Sequence, residues 1–183
     1  MKKLLIVANP SKESFSHAMA ESYAKKNENC EIIDLYELNQ GFLNYKTMWD
    51  LHKWNIVEAD KRTEIQKKIT ECSEMVFFFP VWWGWVPAIL KNFFDINFSA
   101  GFAFNYVKWK SEGLLKWKIA KVFATCDAPK MIYSFPFFVW INLKKFLNKT
   151  TFDFCGIKLV EFKLFDKFHR MSDNERNNIL ENI

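Results

Sequence analysis

Apolar and polar positions along the chain alternate between two periods. Residues 2–9 (KKLLIVAN) form a short apolar run rich in branched side chains, the pattern of a strand buried on both faces. Residues 10–27 follow with helical spacing at Ala20, Tyr23 and Ala24, behind serines able to cap a helix. The alternation then repeats. Strands are predicted over 30–38, which runs into a loop, and over 74–80, 118–125 and 152–165, the last interrupted at Gly156. Helices are predicted over 58–72, with Ile65, Ile69 and Cys72 on one side, over 87–98, with Pro87 near the first turn, and toward the end of 132–150. A last helix over 172–183 opens with Ser172 and Glu175 in the spacing of a capping box. Residues 39–56 lack a clear period and read as mostly loop.

Five strands alternating with helices imply an α/β fold, a parallel sheet with helices on both faces. The expected form is flavodoxin-like, a five-stranded sheet in the order 2-1-3-4-5, with a ligand at the carboxyl ends of the strands where the order reverses. No linker, repeat or low-complexity tract divides residues 1–183, so one domain is expected.

Composition narrows the function classes. The net charge is +5, but 26 basic residues are dispersed among 21 acidic ones, so no nucleic-acid partner is expected. The uncharged stretches at 75–90 and 131–143 are too short, or too broken by Pro80, Gly84 and Pro87, to span a bilayer, which needs roughly 20 apolar residues. Cys30, Cys72, Cys126 and Cys155 are widely separated, the apolar run near Met1 is shorter than a secretory signal, and a cytoplasmic protein with reduced thiols is expected. His17, His52 and His169 are scattered, so no metal site is expected.

Three strand ends would crowd the ligand crevice. The first loop carries Ser11, Ser14 and Ser16 at a helix N-terminus, which suits an anion such as phosphate and equally suits capping. It has neither a dinucleotide fingerprint nor a P-loop. The second, FPVWWGWVPA (79–88), is held by prolines and glycine. Its backbone can meet the polar edge of a heterocycle and its indoles a flat face, or Trp82, Trp83 and Trp85 can be core or dimer contacts. The third, ATCDAPKMIY (124–133), places Asp127 to cap or order the loop and Tyr133 to flank a ligand or pack. No paired carboxylates or triad-like constellation is evident.

Together SFSHAMAE (14–21), FPVWWGWVPAILKNFFDINFSAGFAF (79–104), TCDAP (125–129) and TTFDFCGIK (150–158) resemble the flavodoxin-like NAD(P)H:quinone oxidoreductase family. The resemblance runs over nearly the whole chain. It implies a homodimeric flavoenzyme, with FMN or FAD, that takes two electrons from NAD(P)H and passes them by ping-pong exchange to a quinone or similar small acceptor. It further implies that Ser14, Phe15 and Ser16 hold the flavin phosphate, with Asn9 where many members have His. Pro80, Val81, Trp82, Trp83 and Gly84 would hold the ring, and Thr125, Cys126 and Asp127 its pyrimidine side. Phe102 and Phe104 would lie near the shared substrate pocket, and Tyr133 near the position of a catalytic tyrosine. Relatives with a Thr-Thr-Gly-Gly stretch differ from the ATCD of this chain. The alternative is a non-catalytic regulatory subunit that docks on a partner such as a transporter.

Overall fold

The computed structural model describes residues 1–44, 61–129, 132 and 142–183. Five parallel strands form the central sheet: β1 (Lys2–Val7), β2 (Cys30–Asp34), β3 (Cys72–Pro80), β6 (Ile119–Thr125) and β7 (Lys158–Phe165). Their order is β2-β1-β3-β6-β7, the expected doubly wound arrangement. A separate antiparallel hairpin joins β4 (Phe104–Val107) to β5 (Lys110–Gly113). The helices are α1 (Phe15–Lys26), α2 (Leu35–Leu38), α3 (Lys61–Glu71), α4 (Ala88–Asn97), α5 (Leu143–Leu147) and α6 (Asp173–Glu181).

The strand period of two divides the core into two layers. Leu5, Val7, Val76, Phe78 and Phe123 face α1, where they meet Met19, Ala20 and Tyr23, with Ile179 and Leu180 of α6 packed behind. Leu4, Ile6, Phe77, Phe79 and Val122 face the opposite way, toward Ile65 and Ile69 of α3 and Leu90 and Phe93 of α4. Phe77, Phe94 and Phe152 form a ring cluster in this second layer, with centroids 5.3–6.1 Å apart. Much of the high phenylalanine content is therefore core packing.

The helix boundaries follow local chemistry. Ser14 caps α1 by accepting from the His17 N–H. Pro87 is the N-cap of α4 and leaves the first turn without a side-chain cap. The capping box at Ser172 and Glu175 is complete. Three stretches differ from the pattern. Residues 35–38, expected at the end of the second strand, form α2 because the Asp34 side chain caps a helical turn by accepting the Tyr36 N–H. Residues 152–155, expected as strand, belong to a π turn (Asn148–Phe152) and a 3-10 turn (Asp153–Cys155), and β7 starts only after Gly156, which has φ +81°. Residues 104–113 are a hairpin whose turn residues, Lys108 and Trp109, both have positive φ. The part of 39–56 beyond residue 44, and residues 58–60, lie outside the described residues.

Candidate active site

The carboxyl ends of β1, β3 and β6 meet where the strand order reverses, and a cavity of about 440 Å3 opens there. That size falls within the roughly 300–1,000 Å3 usual for small-molecule sites.

The first wall is the loop from β1 into α1. Asn9 folds it back by accepting from the Ser11 N–H at 3.0 Å, and the Ser14 N–H donates to the Ser11 carbonyl at 3.1 Å. These bonds present Ser14, Phe15 and Ser16 to the cavity at the positive end of α1. Ser16 is 1% exposed, and its hydroxyl has no hydrogen-bond partner.

The second wall is the aromatic loop. Pro80, Val81 and Trp82 line the cavity. The chain then reverses tightly: Trp82 and Trp85 exchange two backbone hydrogen bonds of 3.0 Å. Trp83 and Gly84 between them have φ of +51° and +75°, as a type I′ turn requires. Trp83 and Gly84 therefore sit on the turn and outside the cavity wall, with the Trp83 ring fully in solvent. Trp85 packs inward, edge-on against Phe146 at 4.9 Å.

The third wall is the loop after β6, with Thr125, Cys126 and Asp127 on the cavity. Its backbone is already engaged. The Val81 N–H donates to the Thr125 carbonyl at 2.7 Å, and the Cys126 N–H to Phe165 at 2.9 Å. With the Trp82 N–H also bonded, these three amides cannot serve the edge of a ring. Burial first, then the nearby Asp166 and Asp127 carboxylates, push the Cys126 thiol up to about 12, so it stays protonated. Asp127 orders the loop by accepting from both the backbone N–H and Nδ1 of His169, at 3.1 and 3.0 Å.

The C-terminal segment supplies a fourth wall that sequence reasoning missed. Phe168 packs on Phe15 at 4.9 Å, and the Arg176 guanidinium lies 4.8 Å from the Phe168 ring centroid. Arg176 lines the cavity with its Nε buried and without a hydrogen-bond partner. No local signal marks either residue; helical spacing places Arg176 four residues after Ser172, but only tertiary packing brings α6 to α1. Glu13 and Ala18 complete the wall.

A second, more apolar cavity of about 750 Å3 lies on the other side of the Trp83 turn. Phe104 lines it with Trp85, Phe94, Phe98, Tyr106 and Phe146. Phe102 is half-buried against the core and lines neither cavity. Tyr133 lies outside the described residues. Although larger, the second cavity has no unpartnered buried polar group among the described residues of its wall; the chemistry points to the first.

Comparison with known proteins agrees with this architecture. The model of the flavodoxin-like fold family matches residues 1–182. The chain belongs to this family. A Haemophilus influenzae protein named as an NAD(P)H oxidoreductase is 33% identical, over 99% of this chain and 91% of its own length. Rat ribosyldihydronicotinamide dehydrogenase (quinone) is 28% identical, over 87% of this chain and 78% of its own. Among solved structures, the Streptococcus mutans protein Smu.1420 superposes with a TM-score of 0.83 at 29% identity, covering 100% of this chain and 96% of the other. Among the described residues of the flavodoxin-like chain, no helix is long and apolar enough to cross a membrane, and no group of metal-ligating side chains could hold an ion.

The flavin implied by the resemblance can be tested against the residues present. An anionic tail requires buried donors, and the first cavity offers two without partners, the Ser16 hydroxyl and Arg176 Nε, beside the N-terminus of α1. A flat ring requires a smooth aromatic and apolar wall, which Val81 and Trp82 provide. The residues fit the group.

Proposed function

We infer that the chain is a flavin-dependent NAD(P)H oxidoreductase that delivers two electrons to a quinone or a similar small acceptor. The observation that carries this reading is the first cavity, where two unpartnered buried donors lie beside a helix N-terminus and an aromatic loop. The named relatives, an NAD(P)H oxidoreductase and a quinone dehydrogenase, support it.

Each wall has its own task. Ser14, Ser16, the first turn of α1 and Arg176 bind the phosphate. Pro80, Val81 and Trp82 seat the ring, and Thr125, Cys126 and Asp127 bound its other edge. Gly84 lets the aromatic loop turn back so tightly, and Trp83 at its tip, outside the cavity wall, is proposed to meet a bound flavin or acceptor. A flavin held by these residues would supply the redox chemistry, a two-electron exchange between NAD(P)H and the acceptor. Cys126, held as a neutral thiol, brings no charge to the site. Tyr133 is the proposed catalytic side chain, and Phe102 and Phe104 are proposed to border the acceptor.

Homodimerisation belongs to the same reading. The second cavity is apolar and continuous with the exposed rings of Tyr106 and Phe146, a surface that a second copy would cover. Four unpaired cysteines favour the cytoplasm as its place.

The test is direct. Purified protein is expected to be yellow, to release FMN or FAD on denaturation, and to oxidise NAD(P)H only when a quinone is supplied. Protein that binds no flavin, or binds it but never turns over, would favour the non-catalytic regulatory alternative. Sedimentation across a concentration series checks the dimer.

A further inference from the structure

Ser14, His17 and Asp34 form a hydrogen-bonded chain that ends on the cavity. The Ser14 hydroxyl lies 2.9 Å from His17 Nδ1, and His17 Nε2 lies 3.0 Å from Asp34 Oδ2. The His17 and Asp34 side chains are only 12% and 11% exposed. The chain is held at both ends: Asp34 Oδ1 accepts the Tyr36 N–H at 2.9 Å, and Ser14 Oγ accepts the His17 N–H at 3.4 Å.

An ionised carboxylate only accepts, so His17 Nε2 carries a hydrogen whenever it faces Asp34. Nδ1 is then the ring nitrogen left free to be either bare or protonated. With Nδ1 bare, the Ser14 O–H donates into it, and the Ser14 oxygen shows only lone pairs to the cavity. With Nδ1 protonated, the ring donates to Ser14, whose own hydrogen is released toward the cavity. An anion favours the second state twice over, by gaining a donor and by meeting a positive charge.

We propose that His17 is a positioning residue that couples anion binding in the cavity to the uptake of one proton from solvent, acting through the Ser14 hydroxyl. This rests on the reading that the cavity holds a flavin phosphate. Other charged groups around the chain are largely matched. Lys12 pairs with Glu37 beside Asp34 and the Tyr36 phenol. Glu13 and Arg176 lie on the cavity wall itself. Farther along α1, Glu74 and Lys121 pair with each other and with Tyr23.

The test titrates wild type and His17→Gln with the phosphorylated flavin that binds, FMN or FAD, and with riboflavin, from about pH 8.5 to about pH 5.5. Flavin fluorescence reads affinity. Calorimetry in buffers of different ionisation heat reads proton uptake. Wild type is expected to tighten on the phosphorylated flavin as pH falls, by up to about tenfold per pH unit beyond the slope of His17→Gln. Subtracting the variant removes any titration of the ligand's own phosphate, and riboflavin should show no excess slope. Should His17→Gln fail to fold, Ser14→Ala carries the test, because it deletes the hydroxyl through which the ring acts. Equal slopes in wild type and variant, or an excess that riboflavin shares, overturn the coupling. Failure of wild type to bind FMN or FAD at any pH instead overturns the flavin reading beneath it.

Discussion

Ser16 and Arg176 face one cavity from opposite ends of the chain, and each leaves a buried polar atom there without a partner. A buried donor without an acceptor costs about 1–3 kcal/mol, so a ligand that satisfies it recovers that energy. Ser16→Ala is therefore expected to act in opposite directions. It should stabilise the ligand-free protein by about 1 kcal/mol and weaken flavin binding several-fold. Arg176→Met also loses the contacts to Phe168 and Asp173, so it should cost the ligand-free fold up to about 1 kcal/mol, and it should weaken binding roughly ten- to a hundredfold, the worth of a charged hydrogen bond of about 1.5–3 kcal/mol. Denaturant melts without ligand, paired with flavin titrations, check both. A loss of stability in ligand-free Ser16→Ala would mean that the hydroxyl serves the fold.

Trp83 combines two unfavourable features, a left-handed backbone (φ +51°) and a fully exposed indole. The backbone alone costs about 1 kcal/mol, and Asn adopts the same conformation more readily. Trp83→Asn should thus stabilise the protein by about 0.5–1 kcal/mol. If the indole is kept for work on the ring or the acceptor, the same change should lower quinone-dependent kcat/KM by roughly tenfold. Urea midpoints and steady-state rates together separate the effects. A more stable variant with full turnover would remove Trp83 from the site.

What the sequence made legible follows from interaction range. The five strands and the caps at Ser14 and Ser172 rest on contacts within a few residues or on strand period, and these are written locally; the strand order joins segments tens of residues apart and followed from the fold class. The convergence of three loops on one crevice followed from the fold class. Arg176 and Phe168 were not legible, because their place depends on α6 docking to α1, seen in the bond from the Ser22 hydroxyl to the Leu180 carbonyl at 2.7 Å. The Ser14–His17–Asp34 chain was missed for the same reason: the first two residues are neighbours on one helical turn, but Asp34 arrives on β2. The hairpin of β4 and β5 turns at Lys108 and Trp109 without the Gly or Asn that marks such turns. Residues 152–155 alternate like a strand, yet packing of Phe152 into the core and the left-handed Gly156 wind them into a turn.

Lys121 and Glu74 pair at 2.9 Å at the amino ends of β6 and β3, with the Tyr23 hydroxyl donating to Glu74 at 2.7 Å. Glu74 is 7% exposed, so removing its partner strands a carboxylate in the interior. Lys121→Met is expected to destabilise the fold by about 3 kcal/mol, the usual penalty for breaking a buried pair. The pair lies at the opposite end of the sheet from Pro80 and Thr125, which adjoin the cavity. Flavin affinity below the unfolding transition should therefore stay within about twofold of wild type. A large affinity loss in folded Lys121→Met would show that the two ends of the sheet are coupled.

Cys126 and Cys155 are both buried, and both thiols are pushed from 9.0 up to about 12, in each case chiefly by burial. Between those values the unfolded chain releases the two protons while the folded chain keeps them. The unfolded state then binds fewer protons, so stability falls as pH rises, and is present in full only below the unfolded value. Tyr23, also raised to about 12 mainly by burial, adds in the same direction above its ordinary value of 10.0. The urea midpoint is thus expected to be flat between about pH 7 and about pH 8 and to drop clearly by about pH 10. Cys126→Ala with Cys155→Ala should start from lower stability, because the buried sulfurs are lost, but should show a shallower alkaline fall. In native protein both thiols should react with a neutral-pH alkylating reagent only on the timescale of unfolding, well behind the half-exposed Cys30. Rapid labelling of Cys126 in the folded state would mean that the wall beside Thr125 opens to solvent without unfolding.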